Sequence, residues 1–463
     1  MVFSSVEFIL IFFVGILILY YLPFKKNHTY KNIVLFIFGI FFYAWGEKKA
    51  VFLLLFSIFI NYLFGLAIAN QKEGLLRRLT RDFAVIFNLS ILIIFKYLGF
   101  ILENIGNITG QTLFIKIALP IGISFYTFQI LSYILDLYNG KIAVQKNLLR
   151  FGLYVSLFPQ LVAGPIVRYA TIEDEIEHRN ESVDDFKKGF FRFIKGLSKK
   201  VLISNSVAML ADKAFAASSL SVVTAWLGAI AYTIQIYYDF SGYSDMAIGL
   251  GLVFGFHFDE NFDYPYSAKS ITEFWRKWHI SLSSWFRDYI YIPLGGNRCS
   301  KLKTYRNLFI VWILTGIWHG ANWTFILWGL IYFILLVIEK NINLDKIPSL
   351  VGRIYTMFVV MLCWVIFRAE SVTAALKYIA EMFGIGSNAF IDDKAIAYLG
   401  TYKVFLLIGI IFAFPINNKI KNIININQST EKIINSLIAL ILFICSLSFL
   451  VSGDYNPFIY FTF

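Results

Sequence analysis

Charge is scarce in this sequence. Lys, Arg, Asp and Glu together supply 15% of its 463 residues, where soluble domains average about 25%. A water-soluble chain of this size needs a fuller polar coat, and a hydrophobic share of 58% deepens the shortfall. A surface that faces lipid needs no such coat. Acidic residues are the scarcer kind, so the formal net charge is +12. No soluble basic module is present to carry nucleic-acid binding, and basic cytoplasmic loops account for the excess. Cysteine is nearly missing as well. Cys299, Cys363 and Cys445 lie far apart, in an odd number and without metal-ligand spacing. Neither a structural metal nor a disulfide framework is expected from them.

What the chain has instead is long apolar runs. Crossing about 30 Å of hydrocarbon takes around 20 such residues. Candidate spans are 6–24, 31–46, 50–69, 83–103, 116–138, 219–238, 242–258, 322–338, 351–367, 402–416 and 433–452. Three more stretches, 148–165, 190–212 and 305–320, are broken by Pro, Gly or charge and read as short, tilted or re-entrant helices. The expectation is an all-α polytopic membrane protein with about 11 to 13 transmembrane helices, plus short re-entrant or interfacial ones. The opening run has no basic segment before it and no small-residue cleavage site after it, so it reads as the first span. No internal repeat of the kind found in secondary transporters is visible.

Loop charges set the orientation. Lys25, Lys26 and Lys31 follow the first span, and Lys72, Arg77, Arg78 and Arg81 fill the loop at 70–82. Both loops are expected on the cytoplasmic side of a plasma (inner) membrane, which puts the N-terminus outside. The basic stretch 269–306 belongs on the cytoplasmic face too, and the acidic segment 368–400 on the outer one.

Three segments could carry chemistry. In WRKWHISLSSWFRDYIYIPLGGNR (275–298), Trp275, Trp278, Trp285, Tyr289 and Tyr291 alternate with Arg276, Lys277, Arg287 and Asp288. One reading is an amphipathic helix on the inner leaflet, since aromatic rings favour the headgroup layer. The other adds that His279 faces a site for a phosphate-bearing donor, gripped by cations and stacked on rings. In TGIWHGANW (315–323), His319 lies about 20 Å of helix beyond Arg306, well inside the bilayer. Gly316 and Gly320 beside it allow close approach by another backbone or a ligand. A buried ionisable group is costly and marks a functional site by default, although a histidine satisfied by one hydrogen bond is the competing reading. In IYYDFSGYSDMAIGLG (236–251), Asp239, Ser241, Tyr243, Ser244 and Asp245 interrupt apolar sequence, lining either a tunnel or a structural hydrogen-bond network. His28, His178 and His257 lie in or near loops and read as surface residues.

Together these segments resemble the membrane-bound O-acyltransferase family, in particular its bacterial alginate O-acetyltransferase-like branch. The likeness includes VFSS (2–5), LPIGISFYTFQILSYILDLY (119–138), LFPQLVAGPIVR (157–168) and NPFIYFTF (456–463). Two histidines forty residues apart, the later one in a WHG context, complete it.

The resemblance implies a single membrane-embedded domain over 1–463, built as a ring of helices around a central tunnel. It places the family's catalytic membrane-embedded histidine on His319 and its second important histidine on His279. It also implies acetyl-CoA as a cytoplasmic donor substrate, no bound cofactor, and an acetyl group delivered outward to a polysaccharide. A separate extracytoplasmic acetyltransferase is the expected partner, with membrane lipids around the chain. Arg276, Lys277, Trp278 and Arg287, with Asp239 and Tyr243, are the candidate donor- and substrate-binding residues.

Acyl transfer to a hydroxyl needs a base, and imidazole serves at neutral pH. Two other readings compete: a D-alanyl transferase of teichoic acid modification fed by a carrier-protein thioester, and a transporter or flippase that makes no covalent bond. The GLVFGFHFDENFDYPY stretch (251–266) is more similar to the acetyl branch.

Overall fold

The computed structural model describes every residue except 25, 26, 114, 116, 387, 388, 417–426, 454, 457 and 460–463, and leaves out the side chains at 345 and 428. Lys25 and Lys26, position 116 at the start of one expected span, and most of the closing NPFIYFTF thus lie outside the described residues.

Among the described residues the regular structure is helical, apart from one isolated antiparallel bridge between Phe262 and Trp278. Seven helices among the described residues are long and apolar enough to cross a membrane: His28–Gly46, Ala50–Asn70, Leu75–Thr109, Trp323–Asn341, Ser349–Arg368, Asp393–Phe412 and Ser429–Ser452. A shorter apolar helix occupies Phe8–Tyr21. Nineteen residues at 1.5 Å each reach about 28 Å, close to the hydrocarbon thickness. This is a multi-pass, all-α membrane protein.

Several boundaries differ from those the apolar runs suggest. The runs 219–238 and 242–258 form one helix, Val222–Val253, of 32 residues. The polar side chains of Asp239 and Ser244 do not break it, because partners elsewhere in the protein satisfy them. Asp239 pairs with Lys200, and the Ser244 hydroxyl accepts from Asn261. The stretch 305–320, expected to be broken, is continuous within Lys301–His319. Gly316 fits inside that helix because its missing side chain lets the backbone of Phe325 come close.

Residues 1–193 and 245–259 form one compact unit. Its innermost helix is Ile123–Tyr138, which buries Gln129, Ser132 and Asp136 along with most of its apolar residues. Gly122 starts it at φ +77°, where a side chain would be strained and would meet the Leu161 carbonyl. In the same unit the fully buried Arg179 donates to Tyr20 Oη (2.8 Å) and Asn32 Oδ1 (2.6 Å), while Lys31 pairs with Glu181 (2.9 Å). A largely apolar groove of about 450 Å³ runs past Tyr21, Leu22, Glu181, Val183 and Phe186.

Residues 194–244 and 260–463 form the second unit, and both candidate catalytic histidines are in it. Its core is unusually aromatic. Trp275 packs on Trp312, Trp328 and Tyr332 with ring centres 4.9–5.4 Å apart, and Trp278 packs on Trp364 at 4.9 Å. Edge-to-face contacts such as the three made by Trp275 add about 0.5–1.5 kcal/mol per pair beyond burial.

Candidate active site

His319 is the last residue of the helix Lys301–His319. The chain then turns through Gly320–Asn322, where the Asn322 side chain accepts from the Thr324 backbone N–H (3.0 Å) and starts Trp323–Asn341. The two helices form an antiparallel hairpin held backbone to backbone. A Cβ on Gly316 would run into the Phe325 carbonyl, and one on Gly329 into that of Trp312. Such small-residue contacts are the usual way helices approach closely in lipid. They fix His319 at the end of a rigid pair. Its ring is 5% exposed and sits in an aromatic cage, with Trp318, Trp328 and Phe367 centred 5.0–5.1 Å away.

His279 is placed differently. The stretch 275–298 is not one amphipathic helix but two seven-residue helices, Ile271–Lys277 and Ile280–Phe286, with a π-helical turn after them. The first helix begins under the buried carboxylate of Glu339, which accepts the N–H groups of Ile271 (2.6 Å) and Thr272 (2.8 Å). These are orphan donors of a helix start, and a carboxylate suits them.

At the break, His279 holds φ +45°, ψ +55°, a left-handed conformation rare for a residue with a side chain. Strain of this sort persists where surroundings over-determine it. Here a passing strand of backbone does so: Asp263 N–H donates to Lys277 O, and Ile280 N–H to Asn261 O, both at 3.0 Å. The imidazole is 1% exposed, with Phe240 edge-on at 4.6 Å. Burial holds it well below its usual pKa, and the nearby His319 pushes it the same way, so it is neutral at pH 7.

The two histidines meet at one indole. The Trp318 ring is centred 5.9 Å from that of His279 and 5.0 Å from that of His319. The segments at 275–298 and 315–323, far apart in sequence, thus form one buried cluster.

The other candidates scatter around it. Trp278 lies in the aromatic core beside His279. Arg276 is exposed, and Lys277 is tied to Glu273 (2.9 Å) and Ser267 (3.2 Å). The exposed Arg287 pairs with Asp288 at 2.7 Å. Asp239, 1% exposed, is ion-paired with the equally buried Lys200 and accepts the Ile459 N–H at 2.8 Å. Tyr243 packs its ring on Phe458, 4.7 Å away. Among the described residues no cluster of three His, Cys, Asp or Glu side chains suited to a metal occurs.

The sequence reading passed over Asn261, Trp318 and Lys200. For Lys200 a signal existed: a lysine in the apolar stretch 190–212 needs a buried partner, and Asp239 was the available carboxylate. Nothing in the sequence singles out Asn261.

Comparison with known proteins decides the family. The model of the MBOAT, membrane-bound O-acyltransferase, family matches residues 37–367. The chain belongs to this family. The acyltransferase is 45% identical over 400 residues to a Pseudomonas aeruginosa protein described as "Probable alginate O-acetylase AlgI", spanning 84% of this chain and 76% of the relative. A Pseudomonas putida protein of the same description is 39% identical over the whole of both chains. The "Peptidoglycan O-acetyltransferase" of Helicobacter pylori is 34% identical over 95% of this chain and 93% of its own. The membrane-bound O-acyltransferase fold and the buried histidine pair occupy the same stretch of chain, since His279 and His319 both fall within the matched residues.

Proposed function

We propose that this acyltransferase takes an acetyl group from cytoplasmic acetyl-CoA and passes it through a transmembrane tunnel. The group then serves O-acetylation of an extracytoplasmic polysaccharide such as alginate or peptidoglycan, with a partner acetyltransferase at the outer face. The chain acts as one membrane-embedded domain of the plasma (inner) membrane, its N-terminus outside. The observation that carries the reading is the pair of buried imidazoles in contact with Trp318.

In this reading His319 is the general base. As the acceptor hydroxyl attacks the thioester carbonyl, its proton passes to the imidazole; the C–O bond forms, the C–S bond breaks, and the imidazolium hands that same proton to the departing thiolate, which restores the neutral base. A neutral imidazole is the form this step needs. His279 meets the donor, whose phosphates are held by Arg276, Lys277 and Arg287 at the mouth. Trp278, Asp239 and Tyr243 build the wall behind.

The test uses purified protein in liposomes supplied with acetyl-CoA and a soluble polysaccharide acceptor. Thioester cleavage with acceptor acetylation is expected from the wild type and should vanish in His319→Ala and His319→Gln. Normal product from either variant refutes the role of His319, and an intact donor with wild-type protein refutes the transfer itself.

A further inference from the structure

Asn261 carries no charge and no reactive group, yet it is fully buried and its side chain takes part in four hydrogen bonds around His279. Its Oδ1 is 2.9 Å from Ser281 Oγ, 3.2 Å from the Ser281 backbone N and 3.2 Å from Nδ1 of His279. Its Nδ2 donates to Ser244 Oγ at 3.1 Å. Its backbone carbonyl accepts the N–H of Ile280.

The orientation of this amide is settled by a group that can only donate. The Ser281 backbone N–H must face an acceptor, so the oxygen of Asn261, not its nitrogen, points at it. The same oxygen then confronts His279 Nδ1, which must carry a proton to bond there. Ser281 Oγ, 3.4 Å from Nδ1, agrees: its single hydrogen is directed to Asn261, leaving only lone pairs for the ring. In a neutral imidazole a proton on Nδ1 leaves the lone pair on Nε2.

We infer that Asn261 is a positioning residue that fixes His279 as the Nδ1–H tautomer, with a basic Nε2, and pins the left-handed backbone that presents the ring. The inference rests on the reading of His279 as part of the active site. The device uses one side chain for two tasks. Its oxygen sets the tautomer and anchors Ser281, while its main chain anchors Ile280, so the two residues that follow His279 are both tied to Asn261. Partners of this kind, acting through another residue, typically change activity by about 10–100-fold when removed.

Two measurements test it. The first is made on the wild-type protein in lipid, labelled with ¹⁵N at the histidine ring nitrogens, His279 being assigned from the signals lost in His279→Gln. The expected spectrum near neutral pH has Nδ1 protonated and Nε2 bare. A protonated Nε2 with a bare Nδ1 overturns the proposal, and Asn261 itself is left unaltered in that measurement.

The second is the pH profile of acetyl transfer. Asn261→Asp keeps the acceptor oxygen but adds a negative charge, which favours imidazolium, so the acid limb should move to higher pH by about one unit or more. Asn261→Ala should lose about 10–100-fold in kcat/KM for acetyl-CoA, with the ¹⁵N pattern no longer purely Nδ1–H. An unmoved acid limb in a folded Asn261→Asp, or an unchanged tautomer in Asn261→Ala, counts against it. Full activity in His279→Gln sinks the functional reading of His279 instead, while the ring spectrum still judges Asn261 separately.

Discussion

Lys200 and Asp239 form an ion pair whose side chains are 3% and 1% exposed, between the helical run 199–204 and the middle of Val222–Val253. Each charge is costly alone at such a place and tolerable only with the other. Removing one partner should destabilise the protein by about 3–5 kcal/mol. Asp239→Asn and Lys200→Met are each expected to lower the melting temperature in detergent, and the double variant to recover most of the loss. Strictly additive losses in the double variant would show that the two charges do not support each other.

The hairpin of Lys301–His319 and Trp323–Asn341 should tolerate no side chain at its crossing. Gly316→Ala and Gly329→Ala each place a methyl against a carbonyl of the facing helix. A loss of about 1–3 kcal/mol is expected, as for other overpacked sites, together with a fall in acetyl transfer because His319 sits at the hairpin end. Thermal unfolding and turnover of the two variants check this; unchanged values in both would mean that the helices separate freely.

His279→Ala should weaken use of the donor more than the chemical step. The expected signature is a raised KM for acetyl-CoA with a smaller change in kcat. An unaltered dependence on acetyl-CoA concentration removes His279 from the donor site.

The buried His279 also predicts how stability varies with acid. Its pKa is depressed in the folded protein by burial and by His319. The unfolded chain binds the proton more readily, so the contribution is fully present above about pH 6.5 and is lost as pH falls below that value. His279→Gln should therefore show a shallower loss of stability on acidification than the wild type. Equal slopes for the two proteins would contradict a neutral buried ring.

Much of this was legible in the chain, for reasons that differ from residue to residue. The spans around 50–69 and 351–367 are apolar enough that the bilayer alone dictates their helices, and Ala50–Asn70 and Ser349–Arg368 follow them closely. His319 was visible because a lone titratable group in apolar sequence carries its own cost. The break at His279 was not visible. WRKWHISLSSWF has no Gly or Pro to stop a helix, and the interruption depends on Asn261 and Asp263 arriving from elsewhere in the chain. The continuity of Val222–Val253 was hidden for the mirror reason: DFSGYSD looks like a turn until Lys200 and Asn261 supply its partners. Tertiary contacts made and unmade helices that local sequence had marked the other way.

The glycines of the hairpin have a consequence for how this enzyme can vary. Side chains that touch can be exchanged in pairs, one shrinking as its neighbour grows. Where peptide groups touch instead, as Gly316 and Gly329 make them do, no second substitution can make room. Descendants of this chain, natural or engineered, are thus free to reshape the rings facing His319 when they adopt a bulkier acyl group, but must inherit the seam behind it unaltered.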